Sequence, residues 1–336
     1  MGRESTGIKK LLGTWAKGLA TEKAKRQQYG AGGGAPMCYG CANAIVLSKI
    51  KEALGLSECR GCFVGAAPIS QDCLWYFASL DIPIYEVFGQ SECSGPHTIA
   101  DPNHWKIGTC GRGMVGTESK IAEDGELCYR GRHIFMGYMY MEQQTRDTID
   151  SEGFLHSGDV AEFDDDNDPR VLNGPSGFMR ITGRKKELII TAGGENIPPV
   201  LIETEMKTSM LALSNCMVIG DQRKYLTMLV SFKTNVDPAT GEPTNVLAAD
   251  ALYEGRRIGS IATTVEEATK DPLWAKYLED GRKAGNTATT SNAQVVQKLA
   301  VLPRDFSLGD GTLTPTMKLK RNVAAKMYAE LIETMY

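Results

Sequence analysis

The alternation of apolar and polar positions along the chain divides it into regimes. Over residues 4–28, Ile8, Leu11, Leu12, Trp15 and Leu19 recur at helical spacing among Lys and Arg, which predicts an amphipathic helix. Four glycines between Tyr29 and Pro36 break it, and a second helix is expected from Tyr39 to Leu54, stopped by Gly55. An apolar run at Cys59–Val64 predicts a buried strand, Ser70–Leu80 a helix and Ile82–Phe88 another strand. Strand, helix, strand in that order implies a parallel α/β layer.

From His104 to Arg180 the apolar runs shorten and Gly and Asp punctuate them, as at Gly116–Ile121, Glu126–Tyr129 and Phe154–Phe163. Short strands with turns between them point to a small β-barrel or β-subdomain. A fresh α+β pattern begins at Leu188–Thr191, with strands expected at Ala212–Ile219 and Leu226–Lys233 and a surface loop at Thr234–Ala248. The last eighty or so residues alternate helix-like runs around a turn at Gly309–Gly311, and no internal repeat is visible. The expected fold is therefore α/β: residues 1–184 as part of a large domain, with a β-subdomain at about 104–182, and residues 185–336 as a small α+β domain.

Composition changes this picture little. The 336 residues are 42% hydrophobic and 23% charged, with a formal net charge of −4 and basic residues scattered along the chain. That disfavours nucleic-acid binding. No apolar run reaches the roughly 18 residues that cross a bilayer. Nine cysteines without a secretory segment point to reduced thiols. Two local patterns compete for attention: Met1-Gly2-Arg3-Glu4-Ser5-Thr6 fits a myristoylation pattern, and Cys38-x-x-Cys41 with Cys59-x-x-Cys62 has zinc-ribbon spacing.

Six segments, in order, carry candidate chemistry. They are Gly65-Ala66-Ala67-Pro68 after a predicted strand; Tyr85-Glu86-Val87-Phe88-Gly89-Gln90-Ser91-Glu92; Gly125-Glu126-Leu127-Cys128-Tyr129-Arg130-Gly131 running on to Met136-Gly137-Tyr138; Gly153-Phe154-Leu155-His156-Ser157-Gly158-Asp159; Ile181-Thr182-Gly183-Arg184-Lys185-Lys186-Glu187-Leu188, followed by Gly193-Gly194; and Pro315-Thr316-Met317-Lys318-Leu319-Lys320-Arg321. Small residues after a strand let backbone approach a flat ring. A carboxylate at a strand end can accept two hydroxyl protons, and a guanidinium offers a fork to phosphate or sugar. A flexible ammonium can offset charge building on a phosphate. His156 alone reads as a packed or capping residue, and the third segment as a structural hairpin.

This ordered set resembles the adenylate-forming (AMP-binding) superfamily, and in its wording the carboxy-terminal part of the bubblegum-type long-chain acyl-CoA synthetases. The resemblance implies an acid–thiol ligase that joins a fatty acid to ATP through an acyl-adenylate and then to CoA. It implies that Gly65, Ala66, Ala67, Pro68 and Phe88 with Gly89 line the adenine slot, that Ser91 meets phosphate, and that Glu92 holds magnesium. It further implies that Asp159 and Arg184 take the ribose, Gly194 the pantetheine path, Lys186 the hinge and Lys318 the adenylation step. Relatives more often have Tyr at the position of Phe88 and Gly at that of Met317. The superfamily's Ser/Thr/Gly-rich phosphate loop ending in lysine has no counterpart here, and residues 3–19 resemble an internal stretch, so the chain is expected to begin inside a longer enzyme. Two alternatives stand beside this reading: a non-catalytic remnant that binds nucleotide, CoA or a partner, and a zinc-binding module. The expected setting is the cytoplasm, with peripheral attachment to an intracellular membrane such as the endoplasmic reticulum open to a lipid-handling enzyme.

Overall fold

The computed structural model describes residues 7–28, 33–66, 69–164 and 177–336. The myristoylation pattern at 1–6 and two of the proposed adenine contacts, Ala67 and Pro68, lie outside them. The chain divides into two compact units, residues 1–185 and 186–336.

In the first unit, α1 (Gly7–Gln27) buries Ala16, Ala20 and Ala24, a stripe of small residues four apart. Such a stripe lets a neighbouring helix come close. The larger residues that suggested an amphipathic face do not form the buried side: Ile8 and Leu11 are 75% and 72% exposed. The second predicted helix is continuous but irregular, running as α2 (Tyr39–Ala42), a π-helical turn (Asn43–Leu47) and α3 (Ser48–Ala53). Gly55 closes it at φ +73°, the left-handed stop its position predicts.

Strand β1 (Cys62–Val64) pairs in parallel with β2 (Ile84–Gln90) through α4 (Gln71–Ser79), whose N-cap Ser70 accepts from the Cys73 N–H at 3.3 Å. The predicted buried strand at 59–64 is in fact three residues long with Phe63 half-exposed, because β1 is the end strand of its sheet. Antiparallel β3 (Gly95–Ile99) and β4 (Arg112–Gly113) complete that sheet. The β-subdomain is a four-stranded antiparallel meander, β5 (Thr117–Ile121), β6 (Glu126–Gly131), β7 (Leu155–Asp164) and β8 (Phe178–Arg184), with α5 (Glu142–Thr148) between β6 and β7. Its packed face centres on Leu127, Tyr129, Leu155 and Met179.

The second unit opens with a hairpin, β9 (Ile189–Ile190) and β10 (Asn196–Ile197), followed by α6 (Pro199–Ser209). Strands β11 (Leu213–Ile219) and β12 (Leu226–Phe232) are antiparallel. The predicted loop at 234–248 is a second hairpin instead, β13 (Thr234–Val236) and β14 (Pro243–Leu247), turned by Gly241 at φ +73°. Its Pro, Thr, Asn and Gly content suits turns and an exposed ribbon equally, which is why composition misplaces it. Helices α7 (Ala249–Arg257), α8 (Val265–Lys270) and α9 (Pro272–Gly285) follow, then β15 (Val296–Val301), which joins β12 in parallel, and finally α10 (Arg321–Met327) and α11 (Ala329–Glu333). Every residue of β12 is buried. Met228 and Val230 face a core with α6 and Trp274 of α9, and Leu229 faces a second with Phe306 and Ile332.

Candidate functional site

In the first unit the candidate residues gather at the carboxyl ends of β1 and β2, where open parallel strands leave a crevice for ligands. Gly65 follows β1, and a Cβ there would lie 2.8 Å from Val87 Cγ2 and 3.1 Å from its carbonyl oxygen. Glycine is thus required by the approach of β2 itself. Ala66 then turns at φ +67°, a conformation costing an L-residue about 1–2 kcal/mol. On β2, Phe88 is half-buried with its ring edge-on to Tyr129, at 6.5 Å between centroids. Gly89 admits no side chain, because a Cβ would run into the backbone of Gly95 on β3.

Gln90, which carries no assignment in the sequence reading, is what ties this strand to the β-subdomain. Its Nε2 donates to Ser157 O at 2.8 Å and to Asp159 Oδ2 at 2.6 Å, while its Oε1 accepts from Tyr129 OH at 3.0 Å. Asp159 is 6% exposed, and Arg184 stands opposite it in the β7–β8 register with Nε 3.5 Å from Oδ1. A buried carboxylate and an exposed guanidinium therefore sit side by side, each held by backbone pairing. Such a pair can accept two hydroxyl protons and offer a cationic fork to the same small polar ligand.

Beyond β2, Ser91 is exposed, and Glu92 is half-buried with Oε1 accepting from Tyr138 OH at 2.8 Å. The third segment, read as a plain hairpin, therefore reaches a candidate metal ligand through Tyr138. Earlier on β2, Glu86 accepts from the Gly108 N–H at 3.1 Å. Burial, partly offset by that bond and by Arg180, pushes its carboxyl up to about 7.

One further constellation lies beneath Asp159. Glu126, Cys128 and His156 place possible ligand atoms within 4.8 Å of one another. The Lys185 ammonium, 3.0 Å from Glu126 Oε2, already supplies the balancing positive charge there. The zinc-ribbon cysteines, by contrast, do not assemble. Cys38 and Cys41 are exposed at the start of α2, Cys59 and Cys62 approach only each other at 3.7 Å, and among the described residues no cluster of three or more possible ligands includes any of them. A tetrahedral ion needs all four sulfurs around one point, an arrangement the described residues do not present.

The second unit holds the rest. Lys186 is its exposed first residue, within the 3₁₀ turn Lys185–Glu187. Gly194 turns the β9–β10 hairpin at φ +83°, its N–H donating to Thr191 O at 2.9 Å. Lys318 sits on a turn pinned by Thr314, whose Oγ1 accepts from the Lys318 N–H at 3.0 Å and whose N–H donates to Lys318 O at 2.8 Å. Met317 occupies the left-handed region at φ +60°, which explains the glycine expected there. Three residues past Lys318, half-buried Arg321 grips buried Glu203 on α6 through two bonds of 2.6 and 2.7 Å and reaches Glu187 at 3.5 Å. Gln90, Tyr138, Glu126 and Arg321 are the functional-site neighbours that sequence reasoning left unassigned. Each lies inside or directly beside a quoted segment, which was the available signal.

Comparison with known proteins places this geometry. The AMP-binding enzyme family matches residues 14–139, and the AMP-binding enzyme C-terminal domain matches residues 186–271. The long-chain-fatty-acid–CoA ligase ACSBG2 of Xenopus laevis is 46% identical over all of this chain, which covers 45% of that protein. The human ACSBG2 is 40% identical over 99% of the chain, covering 49% of its length. The chain thus spans about half the length of the curated relatives it matches. Among solved structures, the A domain of a carboxylic acid reductase from Segniliparus rugosus, in complex with AMP and a co-purified carboxylic acid, aligns over 97% of this chain and 46% of its own at TM-score 0.59 and 18% identity. An O-succinylbenzoate CoA synthetase from Bacillus subtilis, in complex with ATP and magnesium, aligns over 82% of this chain and 49% of its own at TM-score 0.52 and 20% identity. With both its family domains matched in order, this chain belongs to the AMP-binding enzyme family.

Proposed function

We propose that the chain is the part of a long-chain fatty acid–CoA ligase that recognises the adenylate and delivers the adenylating lysine. The overall reaction is ATP, fatty acid and CoA to acyl-CoA, AMP and pyrophosphate through an acyl-adenylate. The observation that carries this reading is the Gln90–Asp159–Arg184 group at the mouth of the parallel strands, a donor-and-acceptor set suited to a ribose diol. Phe88 and the Gly65 turn flank it on β2 and β1, where a purine ring has a flat neighbour. Ser91 offers a hydroxyl to phosphate. Magnesium suits Glu92, a hard oxygen donor held in place by Tyr138, since this ion takes only one or two protein carboxylates. When bound, the ion supplies charge neutralisation on the triphosphate. Lys318 supplies the ammonium that offsets charge at the α-phosphate, and Gly194 leaves bare backbone for the pantetheine arm of CoA. The ligase names of the relatives support the substrate class, and a lipid substrate is compatible with peripheral membrane attachment in the cytoplasm.

A second reading, a nucleotide-binding chain without turnover, stands beside the ligase reading. One assay separates the two. Purified chain is incubated with ATP, magnesium and palmitate, and pyrophosphate is measured. Palmitate-dependent release that Lys318→Ala lowers by about 100-fold or more supports the ligase. AMP binding without release supports the second reading, and absence of both ends the nucleotide assignment.

A further inference from the structure

Asp159 does not lie on a regular strand. Glu126 of β6 pairs with Val160 and Cys128 with His156, so the single residue Leu127 of β6 faces three of β7, and Ser157, Gly158 and Asp159 bulge from the ladder. Gly158 takes φ +71° at the crest. Bulges of this kind re-aim a side chain, and they need partners for the amides they release. From the β2 side, Gln90 holds the bulge through Ser157 O and Asp159 Oδ2. From the opposite side the holder is Glu126, whose Oε1 accepts from the Gly158 N–H at 2.9 Å.

The other oxygen of Glu126 joins β7 to the residue that follows β8. Its Oε2 accepts from Lys185 Nζ at 3.0 Å and from His156 Nδ1 at 3.1 Å, and Asp124 takes Lys185 from the far side at 2.6 Å. Glu126 is 5% exposed. Burial opposes its charge, but the bonds from His156, Lys185 and Gly158 outweigh that and hold the carboxyl below its ordinary range. One carboxylate thus grips the residue before Asp159 and the residue after Arg184.

We propose that Glu126 is the positioning residue for sugar recognition, fixing Asp159 through Gly158 and Arg184 through Lys185 so that both face one ribose diol. The proposal rests on the adenylate-binding reading above and adds to it a residue that need not touch the nucleotide. Glu126 sets the aim, and Asp159 makes the contact. A merely structural carboxylate would lower stability without changing which nucleotide the chain prefers. A positioning residue changes the preference itself.

The test is the ratio of dissociation constants for 2′,3′-dideoxy-AMP and AMP, measured by calorimetry on the 336-residue chain. Wild type is expected to favour AMP by roughly 10-fold or more, the scale of hydrogen bonds to a charged acceptor. Glu126→Ala, which releases both grips, should bring the ratio close to one. Glu126→Gln keeps an acceptor for Gly158 and loses the charge that holds Lys185, so the ratio should fall at least about threefold and remain above that of the alanine variant. Lys185→Met, which releases only the Arg184 side, should also leave it intermediate. If the alanine variant does not fold, the glutamine and methionine variants carry the test. A wild-type preference retained in full by folded Glu126 variants overturns the positioning role alone. A wild type indifferent to the ribose hydroxyls overturns the adenylate reading and the proposal together.

Discussion

Asp159 and Lys318 are held in opposite ways. The carboxylate is buried, and side chains from residues 69 positions upstream and 25 downstream fix it: Gln90 from β2 and Arg184 from β8. The lysine is half-buried on a turn closed by Thr314, four residues away, with its anchor Arg321 three residues further on. Recognition gains from a group already aimed before the ligand arrives, since little ordering cost remains at binding. In the role proposed for Lys318, a stiff local turn suffices, because it keeps its shape within its own unit. The same chain therefore shows long-range preorganisation on one side and short-range presentation on the other.

The largest effect should come from the anchor of the local side. Arg321→Ala leaves Glu203 buried without its guanidinium, a loss of about 3–5 kcal/mol. Urea unfolding of the second unit, followed by the buried Trp274, measures it. A change under about 1 kcal/mol would mean that the lysine turn is held by something other than this pair.

Next in size is a cost on the preorganised side. Glu86 lies on the strand that carries Gln90, and its folded carboxyl is pushed up to about 7 from an ordinary 4.5. The folded state therefore binds this proton more tightly than the unfolded chain does. Its contribution is complete below about pH 4.5 and is lost as the pH rises through 7. Glu86→Gln should remove that slope and stabilise the first unit at pH 8 by up to roughly 3 kcal/mol, read from melting curves across pH. Parallel pH profiles for wild type and variant would refute it.

Gln90→Ala deprives Asp159 of its 2.6 Å donor and the buried Tyr129 hydroxyl of its acceptor, so AMP should bind about 10-fold more weakly, by calorimetry, and the first unit should lose about 1–3 kcal/mol. An unchanged affinity would show that the long-range aim is redundant. The smallest effect tests the local turn: Met317→Gly relieves the left-handed strain at φ +60° and should stabilise the second unit by about 0.5–1 kcal/mol. Destabilisation would mean that the Met317 side chain, 65% exposed, contributes more than its backbone costs.

What could be read in advance follows from range. Periodicity and apolar runs locate α1, α4, β2, β11 and β12 to within a few residues, because helix and strand spacing is written in neighbouring positions. The run Gly183–Arg184–Lys185–Lys186 and Lys318 stand out only through the resemblance to adenylate-forming enzymes, since a basic run by itself reads as a solvated face. The ribbon β13–β14 was not, since turn-forming residues also suit an exposed hairpin. The exposed side of α1 was missed because close packing selected alanines over the larger apolar residues.

The sequence by itself determined the order of elements, the candidate residue types and the likeness to adenylate-forming enzymes. Only the tertiary structure decided that Gln90 and Glu126 hold the Asp159 bulge from two sides, that Lys185 is anchored to Asp124 and Glu126, and that the four amino-proximal cysteines do not share a centre. Hydrogen bonds joining residues tens of positions apart depend on strand register and on a bulge in it, and neither leaves a periodic trace in the order of amino acids.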